Sequence, residues 1–422
     1  MDALTTPLPK DWEAVKVEDI FEIITDFSAA GSFAQQSQMV QYTNDRTNYA
    51  QLIRTTELKN GFNNTNAIYI NKEAFEFLWR VNLNSDAIIL PNIGINCGEI
   101  YYVDIKKLIH KHNALAPNAI LLRTKKANLK FLFYAFLDTW FQKQLINIIT
   151  SSAQPKFTKT DLRDLLIPLP PLKEQIAIAN ILSDVDHYLY SLDALILKKE
   201  SVKKALRIKM LNQILASNGV EFRELGDIIL SLKTGLNPRS FFKLNTPNAN
   251  NYYVTIRELE DYTIKFTHQT DRIDDNALSL CLKRSNLEKD DILFSGTGTI
   301  GKVSIIKENP NNWAIKEGIY SIKPNKKIVF PRFLMFCFEN LNIQNDIKSK
   351  SFGGIVKSIP MNDLQQIQIP IPPLKEQIAI ANILSALDHE IISLKNKKRQ
   401  FENIKKALNH DLMSAKIRVL KK

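Results

Sequence analysis

A glycine-rich stretch in the second half of the chain is the segment most suggestive of chemistry. Gly296, Gly298 and Gly301 satisfy the G-x-G-x-x-G pattern, and Lys302 completes all of a phosphate-binding loop except its hydroxyl residue. Phe294, Gly296 and Gly298 also resemble the glycine motif of S-adenosylmethionine-dependent methyltransferases. Dinucleotide binding by the G-x-G-x-x-G pattern, phosphate binding and S-adenosylmethionine binding all need a helix N-terminus directly after the glycines. Val303 instead opens VSIIKENPNN, which predicts a strand, so we expect a β-turn-β element whose small residues let the backbone approach a neighbour such as DNA.

Other residues that could act as catalysts or metal ligands do not group in the sequence. The six histidines have no metal-ligand spacing with carboxylates or cysteines, and the three cysteines lie far apart. No nucleophile elbow surrounds a serine, and the acidic residues form no convincing nuclease cluster. We therefore expect no catalytic residue, no metal and no cofactor, which favours a binding role.

The charge balance indicates which kind of partner is bound. The chain has 56 basic and 44 acidic residues, a net charge of +12 that favours a polyanion such as nucleic acid. Arginine and lysine can reach base edges or phosphates, although each such residue could equally be a solvated surface charge. The candidate DNA contacts are Arg54, Asn96, Lys233, Thr234, Arg257, Thr299, Lys302 and Lys357.

A duplicated block defines the elements that must position these residues. Residues 167–187 and 369–389 are identical at 18 of 21 positions, with a constant offset of 202 residues. Each copy begins with a proline cluster, which predicts an extended segment that leads into a helix. The protein is therefore expected to consist of two similar halves in tandem, with pseudo-two-fold symmetry.

Both copies of the block continue as long helices with an apolar stripe. The spacing of the stripe alternates between three and four residues, as in a coiled coil, although lysines such as Lys203 and Lys405 interrupt it. We predict an antiparallel pair of helices of about 35–40 residues each, and a core helix or a dimer zipper is the alternative. The residues assigned to the seam and to partner docking are Ile178, Leu182, Val185, Leu189, Leu192, Ile380, Leu384, Leu387, Ile391 and Leu394.

The segments before each helix have a similar layout, with short β-rich runs, turns and a helix. NYAQLIRTTEL parallels NYYVTIRELE, which places Arg54 and Arg257 at the same position. Gly98 aligns with Gly301, but Asn96 stands where Thr299 does, so the glycine turn of the first segment is expected to be incomplete. The fold class is α+β, with domain boundaries at 1–155, 156–217, 218–357 and 358–422.

The sequence has no signal pattern at its start and no apolar run of bilayer length, so a cytoplasmic protein without membrane contact is expected.

The doubled PLPPLKEQIAIANIL block and the DILFSGTGTIGK segment closely resemble the DNA-specificity subunit of type I restriction-modification enzymes. The resemblance covers essentially the whole chain. It implies two target recognition domains of α/β type, each reading half of a bipartite sequence in double-stranded DNA. It also implies that two conserved helical regions form an antiparallel coiled coil, which sets the spacer and docks two methyltransferase subunits. Restriction-translocase subunits complete the nuclease, and the specificity subunit itself carries no chemistry.

Two other classes of protein remain as alternatives. A DNA methyltransferase or fused restriction enzyme would need the cofactor and catalytic motifs rejected above. A coiled-coil structural adaptor would explain the helices but not the paired domains or the positive charge.

Overall fold

The structure is a computed structural model, which describes residues 8–62, 66–151, 153–216, 220–238 and 241–420. The chain divides into two compact units. The first unit comprises the residues up to Ser191 together with those from Lys398 onward, and the second comprises Leu192–Lys397.

The first half of the chain forms an α+β domain followed by a long helix. Its strands are β1 (Glu13–Lys16), β2 (Ile23–Asp26), β3 (Ala50–Ile53), β4 (Ile68–Ile70), β5 (Ala87–Pro91), β6 (Tyr101–Val103), β7 (Asn113–Leu115), β8 (Ala119–Arg123) and β9 (Leu166–Leu169). Its helices are α1 (Val17–Ile20), α2 (Phe33–Met39), α3 (Thr55–Asn60), α4 (Lys72–Phe77), α5 (Leu129–Phe136), α6 (Thr139–Ile148), α7 (Lys159–Arg163) and α8 (Leu172–Ala216). Short 3₁₀ turns occupy Phe27–Ala30, Trp79–Val81 and Ile105–Lys107.

The second half repeats this pattern. Its strands are β10 (Glu221–Glu224), β11 (Ile229–Thr234), β12 (Asn251–Val254), β13 (Leu259–Glu260), β14 (Thr263–Ile264), β15 (Arg272–Ile273), β16 (Ile292–Ser295), β17 (Val303–Ile305), β18 (Trp313–Ile315), β19 (Ile319–Pro324) and β20 (Gln368–Ile371). Its helices are α9 (Leu225–Ile228), α10 (Asp275–Ser285), α11 (Pro331–Cys337), α12 (Leu341–Ser349), α13 (Met361–Gln365) and α14 (Leu374–Met413), with a 3₁₀ turn at Ile256–Glu258.

The two domains share one sheet topology. A four-stranded sheet has the order β2-β8-β5-β6 in the first domain and β11-β19-β16-β17 in the second. A three-stranded sheet has the order β4-β3-β7 in the first and β15-β12-β18 in the second, with a parallel pair in each. The second domain adds the β13-β14 hairpin. The duplication evident in the helical block therefore extends to domains whose sequences have diverged, and the predicted tandem α+β fold is confirmed.

The proline clusters form strands before the helices begin. Pro168 of β9 pairs with Ala14 of β1, and Pro370 of β20 pairs with Phe222 of β10, each in a two-stranded antiparallel ladder. Such short ladders tolerate proline because its missing N–H can face away from the partner strand. The predicted extended segment before each helix is confirmed. The domain boundaries stay a prediction, since these ladders connect strands on both sides of them.

The core of each unit includes residues that were assigned to the helix seam. In the first unit, Phe131 and Phe136 of α5 form one buried cluster with Ile178 and Leu182 of α8, together with Leu412 of α14. Burying a large aliphatic side chain stabilises a fold by roughly 1.5–3 kcal/mol. These seam residues therefore hold the α+β domain onto the helices as well as the helices onto each other.

The second unit is built in the same way. Phe333 and Phe336 of α11 lie in one buried cluster with Ile380 and Leu384 of α14. Six of the ten seam residues are buried, namely Ile178, Leu182, Leu192, Ile380, Leu384 and Ile391. The other four, Val185, Leu189, Leu387 and Leu394, are half-buried.

Helices α8 and α14 pack antiparallel, as predicted. In the second unit, Glu200 of α8 pairs with Lys395 of α14 at 2.7 Å, and Lys203 pairs with Asp388 at 2.6 Å. Residue numbers thus fall along one helix as they rise along the other. The helices are 45 and 40 residues long, so the first exceeds the predicted length. Asn218 and Gly219 in the sequence predict the end of the first helix, but both residues lie outside the described part of the chain.

Candidate nucleic-acid interface

The glycine-rich stretch of the second domain is a turn between two antiparallel strands. The Ser295 carbonyl at the end of β16 accepts a hydrogen bond from the Gly301 N–H at 2.9 Å. The Ser295 hydroxyl donates to the Thr299 carbonyl at 2.6 Å and accepts from the Lys302 N–H at 2.8 Å. Gly298 and Gly301 adopt φ of +81° and +89°, which side chains rarely tolerate. The predicted β-turn-β element is confirmed, and β17 follows where a phosphate site would need a helix.

Gly296 makes the close approach to a neighbour that was expected of these glycines, and the neighbour is Tyr320 of the same domain. A Cβ at this position would lie 2.2 Å from the Tyr320 ring. Tyr320 is buried, and its hydroxyl donates to the Ile359 carbonyl at 2.7 Å. The ring therefore cannot easily move aside, and glycine is required here for packing.

A second loop lies directly beside this turn. Phe352 and Ser358 exchange two backbone hydrogen bonds of 2.9 and 2.8 Å, which close the loop at its base. The Gly298 N–H in the turn donates to the Lys357 carbonyl in the loop at 2.8 Å. Turn and loop thus form one continuous surface. We call it the second turn–loop surface, residues 296–302 and 352–358.

The first domain builds the same arrangement from different residues. The Gly98 N–H donates to the Pro91 carbonyl, and the Gly94 N–H donates to the Pro155 carbonyl, each at 2.9 Å. Gly94 and Gly98 adopt φ of +93° and +88°. Gly94 takes the place of Gly298 in a turn one residue longer, but Gly296 has no glycine counterpart, so the turn keeps two of the three glycines and is incomplete as expected. We call this the first turn–loop surface, residues 92–98 and 150–156, of which residue 152 lies outside the described part.

One exchange between the domains explains how the sequences diverged without a change of fold. Asn92 occupies the position of Gly296, and Ile120 occupies the register position of Tyr320. The Asn92 side-chain amide donates to the Phe157 carbonyl at 3.1 Å. The Phe157 carbonyl is the counterpart of the Ile359 carbonyl, which accepts from the Tyr320 hydroxyl in the second domain. A side chain from the turn replaces a side chain from the sheet as the donor.

Three of the predicted DNA contacts lie on the second turn–loop surface. Thr299, Lys302 and Lys357 are exposed there. The Lys302 ammonium also donates to the Ile256 carbonyl at 3.2 Å. These residues are brought together as a group that can contact a polyanion.

Lys233 and Thr234 lie at the end of β11 and are half-buried. The Thr234 hydroxyl accepts from the Gly318 N–H at 3.2 Å and lies 3.4 Å from the Ile319 carbonyl. Thr234 therefore supports the loop between β18 and β19 from within the domain.

Asn96 is placed on the first turn–loop surface. Its side-chain oxygen accepts from the Lys59 ammonium at 2.6 Å, and Lys59 also pairs with Glu99 at 2.7 Å. Lys59 was not among the predicted contacts, because its proximity to the turn depends on the tertiary fold.

Arg54 is engaged inside the first domain. Its guanidinium donates to the Glu57 carboxylate at 2.6 and 3.0 Å and to the Asn66 carbonyl at 2.8 Å. Glu57 is fully buried. Burial raises the pKa of the Glu57 carboxyl, but hydrogen bonds from Arg54 outweigh it and hold that pKa below its usual range. Arg54 thus has a structural role that competes with contact to DNA.

Arg257 does not occupy the position of Arg54, which corrects the sequence alignment. The Arg54 N–H donates to Glu57 at 2.9 Å, and the Thr255 N–H donates to Glu258 at 2.8 Å in the same helix-capping arrangement. Thr255 is therefore the counterpart of Arg54. Arg257 lies two residues later, where it is 55% exposed and pairs with Asp271 at 2.7 Å. Alignment on the shared Asn-Tyr and Ile-Arg pairs therefore shifted the two segments by two residues.

The repeated block exposes apolar residues that sequence reasoning missed. They lie off the seam, yet the same residue types occur in both copies at the offset of 202 residues. They are 37–54% exposed. The exposed repeat-related residues are Leu172, Ile176 and Ile181 on α8 and Leu374, Ile378 and Ile383 on α14. The sequence signal that could have identified them is their identity in both copies, because residues that do not pack in the core need not be identical.

Neither a metal cluster nor an activated thiol occurs in the described part of the chain. No group of three or more histidine, cysteine or acidic residues could hold a metal ion among the residues described. Burial raises the pKa of the Cys281 thiol to about 11 and also raises that of Cys337, so both thiols stay protonated at neutral pH. Across the same residues, no helix is long and apolar enough to cross a bilayer.

Two domains of one topology, each with an exposed turn–loop surface, define a tandem recognition protein supported by paired helices. The chain belongs to the type I restriction modification DNA specificity domain family, whose model matches residues 9–199 and 217–403.

Relatives with known names match this chain over 64–98% of its length. The chain is 29% identical to a Methanocaldococcus jannaschii protein named as the MjaX specificity subunit of a type I restriction enzyme, over 98% of this chain and 95% of the relative. It is 26% identical to the type I restriction enzyme EcoBI specificity subunit of Escherichia coli, over 64% of this chain and 60% of the relative. The S subunit of a type I restriction-modification system from M. genitalium has a similar fold, with a TM-score of 0.58 at 18% identity, covering 97% of this chain and 98% of that one.

Proposed function

We propose that this protein is the DNA-specificity subunit of a type I restriction-modification complex. Each domain reads one half of a bipartite target in double-stranded DNA through its turn–loop surface. The family is that of the specificity subunit, which has no catalytic activity of its own. The observation that carries the proposal is the duplication of the turn–loop surface, with one backbone hydrogen-bond scheme and different side chains.

The chemistry of these surfaces supports DNA recognition. Backbone hydrogen bonds fix the turns, so the side chains on them are free to differ without a change of fold. Base edges in the major groove are distinguished by such side chains, while lysines hold the phosphates. Lys302 and Lys357 provide the positive charge on the second surface.

The helices support docking of methyltransferase subunits, two per specificity subunit. The apolar residues exposed on the repeated block are the same in both copies, so the same kind of partner can bind twice. Buried seam residues such as Leu182 and Leu384 cannot contact a partner directly. Ile181 and Ile383, which are 37% and 44% exposed, are therefore better docking candidates than the seam. Restriction-translocase subunits complete the assembly.

The test of recognition is an exchange of residues 218–357 for the equivalent domain of a relative. Genomic methylation is then mapped in a host that supplies the methyltransferase subunits. The exchange is expected to change one half of the methylated motif and to leave the other half unchanged. A change in both halves, or methylation without any motif, would overturn the proposal.

The test of docking uses Ile181→Asp and Ile383→Asp, singly and together. Each single variant should lose one methyltransferase subunit and the double variant both, as measured by native mass spectrometry. Leu195→Asp is the matched control, since Leu195 is 37% exposed on α8 outside the repeated block. Normal stoichiometry in the double variant would refute the docking surface while leaving DNA recognition intact.

A further inference from the structure

The second turn–loop surface ends in two aliphatic side chains that the described residues of the second unit leave largely exposed. Ile355 is 105% exposed and Val356 is 60% exposed, at the tip of the loop that Phe352 and Ser358 close. Exposed isoleucine costs solvation free energy, so a tip of this kind is unfavourable unless it meets a partner.

The tip is supported by a fixed base rather than by a long free segment. Five residues lie between Phe352 and Ser358, whose backbones are joined by two hydrogen bonds. The Lys357 carbonyl is also held by the Gly298 N–H at 2.8 Å. The two aliphatic side chains are thus presented at a defined place beside the glycine turn.

The equivalent loop of the first domain lacks this feature. There the Thr150 N–H donates to the Lys156 carbonyl at 3.0 Å, again with five residues between them. Counting from these closing residues, Ala153 and Gln154 stand where Ile355 and Val356 stand in the second domain. The aliphatic tip is therefore not needed to build the loop. The first surface exposes an aliphatic residue on its turn instead, Ile95, which is 96% exposed.

The charge of the second turn–loop surface and the chemistry of the DNA major groove indicate which group the tip contacts. Lys302 and Lys357 are exposed on the same surface and complement a phosphate backbone. Among base edges in the major groove, only thymine offers an apolar group, its C5-methyl. Every other edge presents donors or acceptors that an aliphatic side chain would desolvate without a hydrogen bond in return.

We propose that Ile355 and Val356 read thymine in the half-site of the second domain, by apolar contact with its C5-methyl group. The inference rests on the proposed DNA-recognition function and adds a base and two specificity-determining residues to it.

The test replaces thymine by uracil, which removes only that methyl group. After the methylated motif has been mapped and the second half-site assigned by domain exchange, duplexes with thymine or uracil in that half-site are titrated with the methyltransferase complex. We expect uracil to weaken binding by about fourfold per contacted methyl, the equivalent of about 0.8 kcal/mol for one buried carbon. Ile355→Ala with Val356→Ala should weaken binding to the thymine duplex and remove the difference between the duplexes.

Two controls accompany this test. Leu230→Ala truncates an aliphatic residue that is 65% exposed at the far end of β11 from Thr234, and it should keep the thymine preference. Uracil in the first half-site should change the affinities of wild type and double variant equally.

The outcomes separate this inference from the function on which it rests. Sequence-specific binding with equal affinity for thymine and uracil, or a second half-site without an A·T pair, overturns the thymine contact alone. A uracil effect that persists in the double variant also overturns it, because other residues then contact the methyl. Loss of methyltransferase assembly in the double variant would identify the tip as a protein contact and would likewise overturn the thymine contact. Absence of any sequence preference in the wild-type complex would refute the proposed function itself.

Discussion

Removal of the Lys203 ammonium is expected to destabilise the second unit far more than removal of a surface lysine. Its nitrogen lies 2.6 Å from the Asp388 carboxylate and 2.7 Å from the Tyr262 hydroxyl. It also lies 4.3 Å from the centroid of the Tyr262 ring, within cation–π range. The side chains of Lys203 and Asp388 are only 10% and 13% exposed. Lys203→Met keeps the aliphatic stem and leaves the carboxylate without its cation.

The expected cost is about 3 kcal/mol, which is the lower end for breaking a buried ion pair, because both side chains keep a small exposed fraction. The pH dependence follows from Asp388. Burial raises the pKa of its carboxyl, and Lys203 only partly opposes this. A carboxyl whose pKa is higher in the folded than in the unfolded state contributes stability that is fully present below the unfolded-state pKa. This contribution is lost as the pH rises through the folded-state pKa. Without Lys203 the pKa rises further, so the destabilisation should be largest near neutral pH and shrink on acidification.

The measurement is urea unfolding at pH 8 and pH 4.5, followed by hydrogen exchange in peptides of the second unit. Lys199→Met is the matched control, because its pair with Glu390 is 30% and 46% exposed and should be worth less than about 1 kcal/mol. Adding Asp388→Leu to Lys203→Met should restore most of the stability, since an apolar pair can replace a buried ionic one. Equal destabilisation by Lys203→Met and Lys199→Met, or a deficit that does not shrink at pH 4.5, would refute this account.

Two pairs of substitutions test the packing of the second unit by thermal unfolding. Gly296→Ala should destabilise by about 1–3 kcal/mol because its Cβ would overlap the Tyr320 ring, whereas Gly354→Ala, with no atom within 4 Å of its Cβ, should change little. Leu384→Ala should cost about 2–5 kcal/mol because Leu384 is 1% exposed, while Ile383→Ala, at 44% exposure, should cost less than about 1 kcal/mol. Similar shifts within either pair would contradict the packing.

The sequence predicted the features that depend on local patterns. The glycine turn follows from Gly298 and Gly301, whose left-handed backbone few other residues adopt, and from the β-forming residues after them. The two long helices follow from an apolar stripe with heptad-like spacing and from the prolines before it. Both patterns are properties of one segment, so a single sequence is enough to detect them.

Features that depend on pairing between distant strands were missed or misplaced. The alignment of Arg54 with Arg257 followed matching letters, but the true register is set by the parallel partner strands β7 and β18. The substitution of Asn92 for the hydroxyl donor Tyr320 has no sequence signal either, because the two residues lie in different elements. Their equivalence appears only when the acceptor carbonyls are compared.

The duplication explains why lysines occur within the apolar stripes of the two long helices. Lys203 and Lys405 are 202 residues apart, as are Asp186 and Asp388. In the second unit Lys203 of α8 pairs with Asp388 of α14, and in the first unit Lys405 of α14 pairs with Asp186 of α8. Each lysine thus finds the aspartate of the other copy, which only an antiparallel pair in this register allows. A shift of either helix by one turn would leave both pairs unmatched, so the apparent defects in the stripe specify its register.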